Sequence, residues 1–290
     1  MKNPIVQGWY ADPESRVYDG KVYLYVTRSL AFEEQTNLDV VMSEDLENFE
    51  IVKDILDMAT FKGATHAVWA PSAVEKDGKY YLIFAANNIL SEEEVGGLYI
   101  GVSESPVGPF KNIYEDGRPF LNRIINGAQP IDAHFYKEGE EIYLYYGGWQ
   151  HLNFAKLNET LTGIIPLDGI TKPNGFLEIT PPDYIEAPCM MKIDGKYCLM
   201  YSTGFWGSGT YCVKMSIGDN LYGPFTDSET VLASNEIGVG PGHNGVFTFN
   251  GKQYMSYHRR IIGDDVRDHR VLCIDEITVK DGKIQPVKMT

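Results

Sequence analysis

The chemistry this sequence offers is carried by Asp12, Asp132, Glu186 and His243, residues far apart in the chain that each open a short motif: "ADPES", "IDAHF", "EAPCM" and "GHNGV" for His243. Taken alone, Asp12 before Pro13 reads as a turn, because proline fixes its own φ and pushes the preceding residue into an extended form. Three carboxyl groups converging in a poorly hydrated space mean something else. Like charges and burial both raise carboxyl pKa values, so a core built only for stability would put apolar residues there. Two carboxyls whose pKa values are pushed apart are what hydrolysis of a glycosidic bond needs. One must be protonated to donate to the leaving oxygen; the other must be ionised to activate water or attack the sugar. A third acid nearby can orient the first and keep it protonated.

Convergence requires elements that bring remote residues to one point, and the repeats supply them. Five segments share a turn, a glycine and a run of alternating aromatic and aliphatic residues: "YDGKVYLYVT", "KDGKYYLIFA", "KEGEEIYLYYGG", "IDGKYCLMYS" and "FNGKQYMSYH". Their glycines, Gly20, Gly78, Gly139, Gly195 and Gly251, are spaced by 58, 61, 56 and 56 residues. Each copy predicts a β-hairpin with a tight turn. The later stretches "VVMSEDLENF", "IGVSESPVGPF" and "MSIGDNLYGPF" predict a third strand and its exit turn. About four antiparallel strands per repeat at this period is the pattern of a propeller blade. The expectation is an all-β, five-bladed β-propeller forming one domain over residues 1–290, its blades sequential along the chain. "RVLCIDEITV" and "KIQPV" are expected as the outer strands of the last blade. No pairing of an N-terminal strand with C-terminal strands is expected. Counting back seven to nine residues from each glycine reaches Asp12, Ala70, Asp132, Glu186 and His243. These are expected at equivalent positions, where the first strand of each blade meets the central axis.

Composition narrows the partners. The net charge of −15 and the absence of a basic stripe disfavour nucleic acid. A neutral or cationic small ligand fits better. No apolar run approaches the roughly 18 residues that span a bilayer, so no membrane partner is expected. The opening "MKNPIVQGWYADP" lacks an apolar signal region. A cytoplasmic location is therefore expected, or secretion if a leader once preceded this start. Cys189, Cys198, Cys212 and Cys273 form no C-x-x-C pair and are expected as reduced, buried thiols.

The motifs "NPIVQGWYADPES", "WAPSAVEKDGKYYLIF", "IDAHFYKEGEEIYLYYGG", "EAPCMMKIDGKYCLMYS", "GPGHNGVF" and "YHRR…HRVLCIDEI…DGKIQPV" together resemble glycoside hydrolase family 43, in order, from residue 3 to 288. The resemblance implies a five-bladed propeller that hydrolyses arabinose- and xylose-containing glycans with inversion. It implies Asp12 as general base, Glu186 as general acid, and Asp132 as the residue that tunes and orients the acid. The two catalytic carboxyls of an inverting enzyme stand roughly 6.5–9.5 Å apart, leaving room for water. Ala133 and Ala187 depart from the proline and glycine common in the family's third and fourth motifs.

For His243 the resemblance admits a calcium ion at the propeller axis, held mostly through water, with His243 as the candidate metal ligand; the residue is equally a candidate substrate contact. No organic cofactor is implied. Arg270 matches an arginine that points into the sugar pocket. Trp69 and then Trp206 are the leading candidates for the apolar wall of the sugar site. Trp9, Phe32, Trp149 and Phe205 are expected in or near segments at the same mouth. Arg259 and Arg260 read as strand-end supports, and His66, His134 and His151 gain no role. The expected substrate is a small neutral oligosaccharide, from which an exo-acting α-L-arabinofuranosidase, with β-xylosidase as a further activity, removes terminal sugars. The alternatives are an endo-arabinanase or exo-galactanase of the same family, or a non-catalytic sugar-binding propeller. The retaining fructosidases place arginine before the third-blade aspartate, whereas Ile131 stands there here.

Overall fold

In a computed structural model describing residues 2–290, Asp19–Gly20, Asp77–Gly78, Asp194–Gly195 and Asn250–Gly251 take positive φ at both residues. That is the backbone of a two-residue type I′ turn, whose twist matches the flanking strands. In the third copy Gly139 alone turns positive, between the paired Glu138 and Glu141, as a type II′ turn requires. Each turn joins the innermost strand of a blade to its second strand. The inner hairpins are Tyr10–Tyr18 with Lys21–Arg28, Trp69–Lys76 with Lys79–Ala86, His134–Glu138 with Glu141–Tyr146, Glu186–Ile193 with Lys196–Thr203, and Val239–Phe249 with Lys252–Arg260. The expected third strands follow at Leu38–Ser43, Gly97–Ser103, Asn153–Leu157, Cys212–Gly218 and Arg270–Glu276. The result is the five-bladed β-propeller, with blades in chain order.

Alternation along the strands feeds both faces of every blade. Val22, Leu24 and Val26 pack against Phe247 and Leu272 of blade five, while Tyr25 between them packs against Leu82 and Phe84 of blade two. One apolar cluster fills each of the five blade interfaces in this way. Most aromatic and aliphatic residues of the repeats are thereby buried, at about 25 cal/mol per Å² of apolar surface, while Tyr18, Tyr23, Tyr80, Tyr81, Tyr197 and Tyr254 are half-buried. Of the four free cysteines three are buried as expected, but Cys212 is only partly buried, at the head of an outer strand.

The chain ends differ from expectation. Blade five has three ladder strands, and "KIQPV" does not supply its fourth. A further Asp-Gly turn at Asp281–Gly282 folds Val279–Lys280 onto Lys283–Ile284 as a separate hairpin. The tail then crosses to blade four, where Val287 N–H donates to Val231 O at 2.7 Å. The vacated edge of blade five is taken by residues 3–5, without a regular strand. Ile5 N–H donates to Leu272 O at 3.0 Å, and the Asn3 side chain bonds both N–H and C=O of Ile274 at 2.9 Å. The N-terminus thus closes the ring, as a side-chain clasp rather than a paired strand. Replacing Asn3 by Ala should cost about 1–2 kcal/mol and lower Tm by roughly 2–6 °C. Calorimetry checks this, and an unchanged Tm would show that the clasp does not close the ring.

Candidate active site

The head of each inner strand carries one residue in the left-handed region: Asp12 (φ 52°), Ala70 (49°), Asp132 (52°), Ala187 (60°) and His243 (46°). In four blades the inner strand advances three residues there while its partner advances two. Ala11 to Glu14 runs against Thr27 to Tyr25, Trp69 to Ser72 against Ala85 to Ile83, Glu186 to Cys189 against Ser202 to Met200, and Gly242 to Gly245 against His258 to Ser256. This is a β-bulge, a device that re-aims a side chain beside a site. It costs roughly 1–2 kcal/mol at each non-glycine residue.

The bulge corrects one expectation. The fourth-blade counterpart of Asp12, Asp132 and His243 is Ala187, and Glu186 stands one residue earlier. Glu186 therefore shares its register with Trp69, Ala11, Ile131 and Gly242. The offset separates the acids. Asp12 and Asp132 meet at His243, whose Nδ1 lies 3.5 Å from Asp12 Oδ1 and 3.6 Å from Asp132 Oδ2. Glu186 instead accepts the Tyr211 hydroxyl at 2.8 Å.

Asp12 Oδ1 also faces Arg270 Nη1 at 3.2 Å and His258 Nδ1 at 3.3 Å. Arg270 is held by Ser29 Oγ at 2.8 Å and lies over the Trp206 ring, 5.1 Å from its centre. The Asp12 N–H also lies 3.2 Å from His258 Nδ1. Burial favours the neutral ring, bringing the His258 pKa down to about 4. His258 stacks on Tyr211 at 5.8 Å with planes 7° apart. One aromatic stack therefore stands behind both Asp12 and Glu186.

The three acids differ in proton affinity. Burial alone would raise Asp12, but Arg270, then His243 and His258, outweigh it and hold its carboxyl well below the usual carboxylate range. Burial raises Asp132 well above that range, reinforced by the charges of Glu186 and Asp12 against the Ala187 N–H. Burial pushes Glu186 up to about 6, opposed by the Tyr211 hydrogen bond and aided by Asp12. One carboxylate is thus firmly ionised beside two whose proton affinity burial raises.

Trp69, Trp206, Phe32 and Ile131 wall the pocket above these groups, and its free space is about 70 Å³. Trp69 donates its Nε1 proton to Gln35 Oε1 and meets Phe32 edge-on at 4.9 Å. All seven candidate residues, Asp12, Asp132, Glu186, Trp69, Trp206, His243 and Arg270, line this one pocket. Trp9, Trp149 and Phe205 do not. Trp9 stacks on His269 at 4.0 Å, and Trp149 and Phe205 are exposed on loops. Arg260 ties the Trp206 loop through Gly207 O at 2.9 Å, in keeping with a strand-end role. His134 reaches Glu14 deeper on the axis, and His151 pairs with Glu178 outside the pocket. Tyr211 and His258 were not anticipated. Tyr211 precedes an outer strand, where no repeat position marks it. His258 lies in the quoted "YHRR", across the ladder from Gly242, a pairing only the register reveals.

Removing the Tyr211 hydroxyl deletes a donor to ionised Glu186, so Tyr211→Phe should raise the Glu186 titration midpoint from about 6 by roughly one unit. Carboxyl-carbon NMR of the variant checks the direction; a fall would contradict this arrangement.

Comparison with known proteins places these features in a wider set. The family model for glycosyl hydrolases family 43 matches residues 1–284. The β-D-galactofuranosidase xynD of Aspergillus niger is 36% identical, with 99% of this chain and 85% of that protein aligned. A β-xylosidase of Xylanibacter ruminicola is 28% identical over 97% of each. Among solved structures, CoXyl43, a β-xylosidase/α-arabinofuranosidase from a compost microbial metagenome in complex with xylotriose in its calcium-free form, superposes with a TM-score of 0.80 at 26% identity. It covers 98% of this chain and 96% of its own.

Proposed function

The chain belongs to glycosyl hydrolases family 43, and from that premise we propose that it is an inverting, exo-acting α-L-arabinofuranosidase that trims plant-cell-wall oligosaccharides. The observation carrying this reading is the pairing, in one pocket, of a carboxylate kept ionised by Arg270 with a carboxyl raised to about 6. Asp12 takes a proton from water as its oxygen bonds to the anomeric carbon. Glu186 gives its proton to the departing glycosidic oxygen as that bond breaks. Solvent then restores both groups. Asp132, above its ordinary range, stays protonated beside Glu186, while burial and the charge of Asp12 help hold the proton on the acid. His243 and Arg270 keep Asp12 ionised and oriented.

The pocket is small, about 70 Å³, and walled by Trp69, Trp206, Phe32 and Ile131, which favours exo action on a terminal sugar. Trp69 and Trp206 offer apolar faces to its C–H surfaces. Arabinofuranose and xylopyranose present similar hydroxyl patterns when overlaid, which supports β-xylosidase as a further activity. The 36% identical galactofuranosidase favours one second reading. A β-D-galactofuranosyl ring has the arabino configuration with one more carbon in its side chain, so a pocket shaped for one ring admits the other if it is open at that end.

A nitrophenyl panel of α-L-arabinofuranoside, β-D-xyloside and β-D-galactofuranoside should give the highest kcat/KM for the first. A ranking led by the galactofuranoside would move the assignment to the second reading. NMR of the first-formed sugar should show inverted anomeric configuration. Asp12→Asn should lower kcat about 10²–10⁴-fold on every substrate. Glu186→Gln should lose a similar factor on oligosaccharides but far less on nitrophenyl glycosides, whose leaving group needs no proton. On oligosaccharides, kcat/KM should fall as pH rises through about 6, where Glu186 loses its proton, and should hold at lower pH while Asp12 remains ionised. A profile that rises through pH 6 would exclude Glu186 as the acid.

A further inference from the structure

Next to His243, Asn244 Oδ1 is buried, as is His134 Nε2 deeper on the axis, and neither has a hydrogen-bond partner among the described residues. These atoms fit the hydrated ion that the family resemblance admits there. The rim of the sugar pocket poses a separate question, at Trp149.

Trp149 and Gln150 both take positive φ, 56° and 70°. His151 N–H closes the turn onto Gly148 O at 3.3 Å. That is the φ pattern of a type I′ turn, whose two central positions favour Asn and Gly. A tryptophan there is strained, because a bulky side chain crowds the backbone in the left-handed region. Packing does not explain the choice. Trp149 is 41% exposed and belongs to none of the apolar clusters that fill the blade interfaces.

The turn itself is firmly held. Gly147 N–H donates to Ile131 O at 3.1 Å and Gly148 N–H to Gln129 O at 3.2 Å, while the Tyr184 hydroxyl donates to Gly147 O at 2.7 Å. A Cβ on Gly148 would stand 2.7 Å from Ile131 Cδ1, so the turn lies against a wall of the sugar pocket. On its other side, Gln150 N–H donates to Ile185 O at 3.2 Å, the carbonyl directly before Glu186. Trp149 therefore sits between a pocket wall and the strand head that carries the acid. Glu186 gives its proton to the departing oxygen, so the leaving group passes this edge. Strain that the surroundings over-determine, at an exposed aromatic beside the reacting groups, points to contact with a ligand. We propose that Trp149 is a specificity-determining residue, the platform on which the leaving-group sugar of an oligosaccharide lays its C–H face. The proposal rests on the hydrolase reading, and it holds whichever sugar fills the pocket.

Trp149→Asn tests it, because asparagine suits the turn and removes the platform. Its Tm should stay within about 2 °C of wild type or rise. On the trisaccharide of the sugar that leads the nitrophenyl panel, kcat/KM should fall about tenfold. On the methyl glycoside of the same sugar it should fall less than about twofold. Trp149→Tyr should recover most of the trisaccharide rate. Equal losses on both substrates, or an unchanged trisaccharide rate, would overturn the inference. A second arm needs no turnover. Titration calorimetry of Glu186→Gln should show arabinotriose or xylotriose binding more tightly than its methyl glycoside, and adding Trp149→Asn should weaken the trisaccharide about tenfold. Trisaccharide and methyl glycoside bound equally with Trp149 in place would also overturn it. A wild type that cleaves no glycoside, while Glu186→Gln keeps the trisaccharide preference, would remove the hydrolase reading alone.

Discussion

At the head of each inner strand the chain accepts one left-handed residue, and the geometry of the pocket follows from that constraint. Without that left-handed residue, strict alternation would send Asp12 and His243 sideways into the blade interfaces, where the neighbours are apolar. With it they meet on the axis, His243 Nδ1 lying between the two aspartates. The strain of about 1–2 kcal/mol at each such residue is small beside the apolar burial at five interfaces, so the ring can hold it. Backbone strain is found where chemistry is done because the surrounding packing over-determines the conformation.

Once the acids converge, their neighbours decide which of them carries charge. Asp12 has a guanidinium and two imidazole rings around it; Asp132 has mainly other carboxyls. Glu186, one register step away, has a tyrosine hydroxyl. Burial acts on all three in the same direction, so the difference in proton affinity comes from these partners alone. The stack of His258 on Tyr211 makes the arrangement collective, since moving either ring disturbs Asp12 and Glu186 together.

The spacing of the hairpin glycines made the ring legible in the sequence, because a tight turn leaves a local signature, type I′ in four copies and type II′ at Gly139. The convergence of Asp12, Asp132 and His243 followed from the same count. Glu186 was found through its motif, but its register was not: a bulge adds a residue without changing composition, so a count to the nearest glycine cannot distinguish Glu186 from Ala187. The sixth Asp-Gly, at Asp281, carries the same turn signature yet closes a hairpin outside the blades. Turn chemistry reports a reversal of the chain and not the sheet to which it belongs. Tyr211 and His258 act through partners remote in the chain, and no local pattern encodes such pairs.

The three groups that set the charge of Asp12 are His243, His258 and Arg270, all supplied by blade five. A chain emerging from the ribosome carries this aspartate from the outset but acquires its partners last, some 230 to 260 residues later. A chain that stops before blade five therefore holds Asp12, Asp132 and Glu186 at most, without the groups that set the charge of Asp12. Contacts of such high sequence separation also form late and slowly, because the entropy of closing so long a loop is lost before any bond is gained. The charge state of Asp12 is in this way set only when the last blade docks on the first.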